Sequence, residues 1–118
     1  MAREFSRSQR VAHQIQKTLA MYLEKHRVDS GGGLLTISST SVSPDLKNAR
    51  VFVTLLGNED AIEPVVEKLN ADTANYQRYL ASALKLRVTP KLHFEFDKTL
   101  QRANRVTRLI DELDHPSG

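Results

Sequence analysis

Apolar positions change their period several times along the chain, and each change marks an element. From Phe5 to His26, Val11, Ile15, Leu19, Tyr22 and Leu23 recur at helical spacing, which predicts a helix with one apolar stripe. Ser6 or Ser8 is placed to cap its start. The helix is expected to end near Arg27, ahead of the loop-forming run Asp29-Ser30-Gly31-Gly32-Gly33. Leu34 to Val42 then reads as a half-exposed strand, Leu35 and Ile37 alternating with Thr36 and Ser38. Ser43-Pro44-Asp45 is turn chemistry. Ala49 to Leu56 has the strongest strand pattern, with Val51, Val53 and Leu55 on one face and Arg50, Phe52, Thr54 and Leu56 on the other. The two runs predict a hairpin with a longish loop.

Gly57-Asn58-Glu59-Asp60 closes that strand, and Ile62, Val65, Val66 and Leu69 return to the helical period. Pro64 must lie near the first turn, where a missing N–H costs little. Asn70-Ala71-Asp72-Thr73 interrupts the pattern, and Asp72 or Thr73 can cap a third helix running to about Arg87. Its inward face is Tyr76, Tyr79, Leu80, Ala83 and Leu84. Thr89 precedes Pro90 and is pushed out of the helical region. Leu92, Phe94 and Phe96 then alternate with His93, Glu95 and Asp97 in a third strand. Lys98 to Asp114 looks helical again, with Ala103, Val106, Ile110 and Leu113 inward, and residues 115–118 form a frayed tail. The order is helix, strand, strand, helix, helix, strand, then a C-terminal helix. A three-stranded sheet covered on one face by helices is the natural α+β solution, in one domain spanning residues 1–114.

Composition narrows the function classes. The 118 residues are 40% hydrophobic and 26% charged, ordinary values for a globular protein. The chain has no cysteine, which excludes disulfides and Cys-based zinc sites. No apolar run reaches membrane-spanning length, and the N-terminus lacks the apolar stretch of a signal peptide, so a cytoplasmic location is expected. His13, His26, His93 and His115 have no metal-ligand spacing. No serine sits in a nucleophile motif, and Gly31-Gly32-Gly33 lacks the Lys-Ser or Lys-Thr of a phosphate-binding loop. A hydrolase would have to be built from Glu95, Asp97 and His93, which read instead as a solvated strand face. The chain is thus expected to be a binding module with no cofactor, no metal and no catalysis.

Net charge is +3, from 17 Lys and Arg against 14 Asp and Glu, so placement matters more than excess. Arg3, Arg7, Arg10, Gln14 and Lys17 follow helical spacing on a face away from the apolar stripe. Clustered cations along one helix neutralise phosphates, the main source of nucleic-acid affinity. Arg78, Lys85 and Arg87 lie on or just after the third helix, and Arg78 and Lys85, seven apart, share a side. Lys47 and Arg50 flank the second strand's start, where charge also guards against aggregation. Arg102, Arg105 and Arg108 form a broad patch near Asp111, Glu112 and Asp114. Tyr76, Tyr79, Phe94 and Phe96 are able to stack bases, but their spacing favours the core.

The element order matches the type II KH arrangement, and the residues go further. Arg3-Glu4-Phe5, Arg10-Val11-Ala12 and Ile15-Gln16-Lys17 resemble the opening of bacterial ribosome-binding factor A. Ser43-Pro44-Asp45-Leu46 with Ala49-Arg50-Val51-Phe52-Val53-Thr54 is similar to that family's second strand, and Leu86 to Phe94 to its entry into the third. Asp97-Lys98-Thr99-Leu100, Arg105 and Leu109-Ile110 resemble its closing segment. The resemblance implies a KH-like protein, monomeric off the ribosome and away from membranes. Its implied partners are the small ribosomal subunit and 16S ribosomal RNA, late in subunit maturation and 5′-end processing, chiefly in the cold. A general single-stranded RNA-binding module is the alternative. The chain departs from the family's Ala-x-Gly kink, carrying Asp72-Thr73-Ala74 there, and Asp72 would repel phosphate. Affinity is therefore expected from Arg3, Arg7, Arg10 and Lys17, with Arg78, Lys85, Arg87 and Arg105.

Overall fold

The first helix, α1 (Arg7–Lys25), begins with a reciprocal cap. The Ser6 hydroxyl accepts from the Gln9 backbone N–H at 3.2 Å, and the Gln9 side chain accepts from the Ser6 N–H at 2.9 Å. Two of the orphan donors at the helix start are satisfied this way. The computed structural model describes residues 6–26 and 32–98. The expected C-terminal helix and tail, with Arg3 and Arg105, lie outside these residues. α1 buries Val11, Ala12, Ile15, Leu19 and Leu23, and ends where the His26 N–H donates to the Tyr22 carbonyl.

Strands β1 (Leu34–Val42) and β2 (Asn48–Leu56) pair antiparallel, from Leu34 opposite Leu56 to Val42 opposite Ala49. The register shifts between Ile37 and Ser39, a bulge at Ser38. A bulge of one residue reverses which positions face the core. Leu35 and Ile37 pack on the core before it, and Val42 is buried after it. Gly33 is required by close approach, because a Cβ there would meet the Leu55 side chain at 2.8 Å. The connecting loop is held by Asp45, which accepts from the Ser43 hydroxyl at 2.6 Å and the Lys47 N–H at 3.0 Å. Both bonds stabilise the charged carboxylate and hold its pKa below the ordinary value.

A short 3-10 turn (Glu59–Ala61) leads into α2 (Ile62–Ala71), then α3 (Thr73–Leu84) and β3 (Lys91–Phe96). β3 runs parallel to β2, from Lys91 beside Asn48 to Phe96 beside Val53, giving the sheet order β1-β2-β3. A parallel neighbour needs a crossover, and α2 with α3 supplies it. The core lies between the helices and one sheet face. Ile15, Leu19, Val51, Val53, Leu69, Leu80 and Phe94 are its most deeply buried members. Val66 is only half-buried and Ala83 is exposed.

One expectation is corrected. The third helix stops at Leu84 and not near Arg87. Lys85 takes the left-handed conformation (φ 51°), and its N–H closes the helix on the Ala81 carbonyl at 3.0 Å. No glycine marks this end, so the usual signal for a left-handed stop is missing from the sequence.

The outer edge of β3 is covered by side chains. The Asn70 amide donates to the Phe94 carbonyl at 2.9 Å and accepts from the Phe94 N–H at 2.8 Å. The Gln77 side chain accepts from the Leu92 N–H at 3.4 Å. Asn70 thus makes the two bonds that a neighbouring strand would make. Asn70→Ala leaves both Phe94 backbone groups unpaired, and the cost of a missing partner is about 1–3 kcal/mol per group. Urea denaturation of the variant should show a loss of about 2–6 kcal/mol, one such cost for each of the two groups. Unchanged stability would mean that water replaces the amide.

Candidate nucleic-acid interface

Arg7, Arg10 and Lys17 stand exposed on α1, and their intervals of three and seven residues keep them within about 80° of one another around the helix. Arg7 and Lys17 are ten residues apart, so the row is about 15 Å long. None of the three forms an ion pair among the described residues. The buried stripe on the other side ties the helix to the sheet, so the cations ride on a rigid support. Their position works against the helix itself. Arg7 and Arg10 lie in its first turn or just beyond, where the backbone dipole presents positive charge, and the first turn has no acidic residue. A cation there costs about 0.3–1 kcal/mol.

The second group is less unified than its spacing suggests. Arg78 is exposed on α3, Lys85 forms the left-handed cap after it, and Arg87 is exposed in the segment beyond. Because the helix ends at Leu84, the seven-residue interval between Arg78 and Lys85 does not put them on one helical face. These three remain separate exposed cations along α3 and its exit. Lys25, in the last turn of α1, is a further exposed cation.

The turn between α2 and α3 is a single residue, Asp72. Its N–H donates to the Leu69 carbonyl, and its carboxylate accepts from the Asn75 side-chain amide. The Thr73 hydroxyl donates to the Asn70 carbonyl at 3.4 Å. The place where a KH domain would present backbone N–H groups to phosphate holds a carboxylate instead.

The strand-face residues are engaged with one another. Arg50 grips Glu95 through two bonds, Nε to Oε2 at 2.6 Å and Nη2 to Oε1 at 3.0 Å, while its guanidinium lies 5.2 Å from the centre of the Phe52 ring. His93 Nε2 is 4.0 Å from Glu95, and Asp97 accepts from the Ser38 hydroxyl at 2.7 Å. Arg50 is therefore paired with Glu95, an interaction that any phosphate at this edge would have to compete with. Among the described residues no three His, Cys, Asp or Glu side chains group to hold a metal. Nor is any helix there long and apolar enough to cross a membrane. Tyr76 and Phe94 are buried, as their spacing suggests, and Phe96 is half-buried with the Lys98 ammonium 5.6 Å from its ring centre.

These features define the class, a type II KH-like domain whose cationic surface sits on its helices and not in the interhelical turn. Comparison with known proteins narrows it. The family model described as Ribosome-binding factor A matches residues 7–110. A protein of that name from Pseudomonas aeruginosa is 40% identical over 121 residues, covering 100% of this chain and 93% of its own. The one from Nitrosomonas europaea is 38% identical over 112 residues, covering 95% and 96%. The crystal structure of ribosome-binding factor A from Thermus thermophilus shares the fold, with a TM-score of 0.64 at 22% identity over 75% of this chain and 93% of that one. A Thermotoga maritima structure solved by NMR as a candidate member scores 0.67 at 26% identity, over 80% and 91%. The chain belongs to the ribosome-binding factor A family.

The Arg50–Glu95 pair carries a pH prediction. The two bonds from Arg50 stabilise the Glu95 carboxylate and hold its pKa below the ordinary glutamate value. A depressed folded-state pKa means that the pair's contribution is complete above the unfolded value and disappears as pH falls through the folded one. In an NMR titration Glu95 should therefore titrate below a free glutamate, and Arg50→Gln should move its midpoint back up. An unshifted midpoint in the parent protein would show that the pair does not persist in solution.

Proposed function

We propose that the chain is a ribosome assembly factor that binds the small ribosomal subunit through 16S ribosomal RNA. It acts late in maturation, supports processing of the RNA's 5′ end, and matters most for growth in the cold. It works in the cytoplasm, as a monomer off the ribosome, by binding and without catalysis. The observation that carries this reading is the exposed row Arg7, Arg10 and Lys17, without ion pairs among the described residues and kept at a helix start that disfavours cations. Family membership supports the small ribosomal subunit as the partner. A Thermus thermophilus ribosome-binding factor A, similar in fold to this chain with a TM-score of 0.62, has been fitted into a map of a 30S complex.

The mechanism is selection of one RNA conformation. Phosphates lie along α1, while Arg78, Lys85 and Arg87 add further cations; Arg3 and Arg105, outside the described residues, belong to the same proposed set of RNA-binding cations. A protein that binds one RNA arrangement better than others shifts the population toward it by that difference in affinity. The paired Arg50 and the carboxylate at Asp72 leave the helices as the main source of affinity.

Two measurements test this. The tagged protein should sediment with free small subunits; equal presence across free subunits, translating ribosomes and ribosome-free fractions would overturn the assignment. Reversing Arg7, Arg10 and Lys17 together to Glu should weaken subunit binding and flatten its salt dependence, by about 0.7–0.9 in the logarithmic slope for each phosphate no longer neutralised. If affinity and slope are unchanged in the folded variant, α1 is not the surface that meets RNA. Binding to short unstructured RNA as tight as to the free subunit would favour a general single-stranded RNA module instead.

A further inference from the structure

Every tyrosine of the chain sits where α1 meets α3. The 3 tyrosines are Tyr22, Tyr76 and Tyr79, and the chain has no tryptophan. Tyr22 is the ring they share. Its centre lies 5.4 Å from Tyr76, 4.4 Å from Tyr79 and 4.4 Å from His26. The pairs differ in kind. Tyr76 meets Tyr22 edge-on at 79° and packs against Phe94 at 5.3 Å, deep in the core. Burial, with the nearby Asp72 charge, pushes its hydroxyl pKa up to about 12. Tyr76 is structural.

The other three rings are arranged differently. His26 is tilted only 30° from Tyr22, and Tyr79 48°. Among the described residues no ring contact joins His26 to Tyr79 directly, so Tyr22 is the middle of a tilted stack. Tyr22 and Tyr79 are half-buried and His26 is exposed. The stack thus starts in the protein and ends in solvent. Exposed cations adjoin it. Lys25 is three residues from Tyr22, about 60° around α1 and on the same side, whereas Glu24 is about 200° around and points away. Arg78 immediately precedes Tyr79 on α3. Neither cation is ion-paired among the described residues.

Aromatic faces beside unpaired cations are the chemistry of single-strand recognition, in which cations take phosphates and rings take bases. We propose that the His26–Tyr22–Tyr79 stack is a platform for an unpaired RNA base, with the strand's phosphates held by Lys25, Arg78 and the cationic face of α1. The site deepens the RNA-binding reading and rests on it. Arg7, Arg10 and Lys17 supply attraction without regard to base. The stack supplies a requirement that the bound RNA carry an unstacked nucleotide.

The test uses the full chain and two strands of equal charge, about eight uridines and an abasic strand of the same length. With no tryptophan present, tyrosine emission reports this cluster alone. The uridine strand should change that emission and bind more tightly than the abasic strand. His26→Ala should weaken uridine binding at least about fivefold, the lower end of a stacking contribution, and leave abasic binding unchanged. His26→Phe should restore it. Tyr79→Leu should act like His26→Ala if its thermal melt shows it folded; exposed His26 decides the matter if it does not. Equal affinity for the two strands, unchanged emission at saturation, or an equal response to an acidic unstructured peptide would overturn the proposal. Sedimentation with small subunits separates the two readings. If charge reversal on α1 releases the subunit while His26→Ala changes nothing, the stack fails and the RNA-binding reading stands. If the parent protein binds no subunit, the larger reading fails first.

Discussion

The parallel pairing of β2 with β3 governs the rest of the molecule. Two strands that run the same way cannot be joined by a turn, so the chain must travel back along one face of the sheet. It does so as α2 and α3, broken at Asp72. That return path lays Ile62, Val65, Leu69, Tyr76 and Leu80 over the sheet and makes β2 the central strand. α1 fills the remaining width of the same face, beside β1 and α3. The three α-helices among the described residues therefore share one side, and their outward surfaces carry Arg7, Arg10, Lys17, Arg78 and the aromatic stack.

Asp72 shows how the same constraint shapes chemistry. A one-residue break separates α2 from α3, and here its carboxylate bonds to Asn75. The turn is satisfied by its own side chains. In the proposed RNA-binding role, affinity comes from longer side chains on the helices, such as Arg7, Arg10 and Lys17, and not from backbone N–H groups at this turn. Binding of that kind would be a broad, screened attraction with a strong dependence on salt.

Much of the architecture is legible in the sequence because its patterns are local. Val51, Val53 and Leu55 alternate cleanly because β2 is central and one of its faces is buried. Ser6, one of two candidate caps in the sequence, does cap α1, while the reciprocal bond from Gln9 appears only in the structure. The α1 cations are equally legible, since one helix orders them. What escapes is non-local or lacks its usual marker. The Ser38 bulge leaves no glycine behind, yet it changes which residues of β1 face inward. Lys85 ends α3 in a conformation that its side chain does not advertise. Asn70 and Phe94 are 24 residues apart, and the His26–Tyr22–Tyr79 stack exists only once two helices have docked.

The amide bracket on β3 also gives the sheet a direction. A strand edge with free N–H and C=O groups is a template for whatever extended chain comes by. Asn70 and Gln77 occupy that template on one side, so that margin of the sheet is closed. Among the described residues no further strand pairs with the other margin, β1, which is rich in serine and threonine and kinked by its bulge. Growth of the sheet by an added strand, whether a misfolded neighbour or a segment of another protein, is thereby confined to a single edge whose irregular register resists a straight partner.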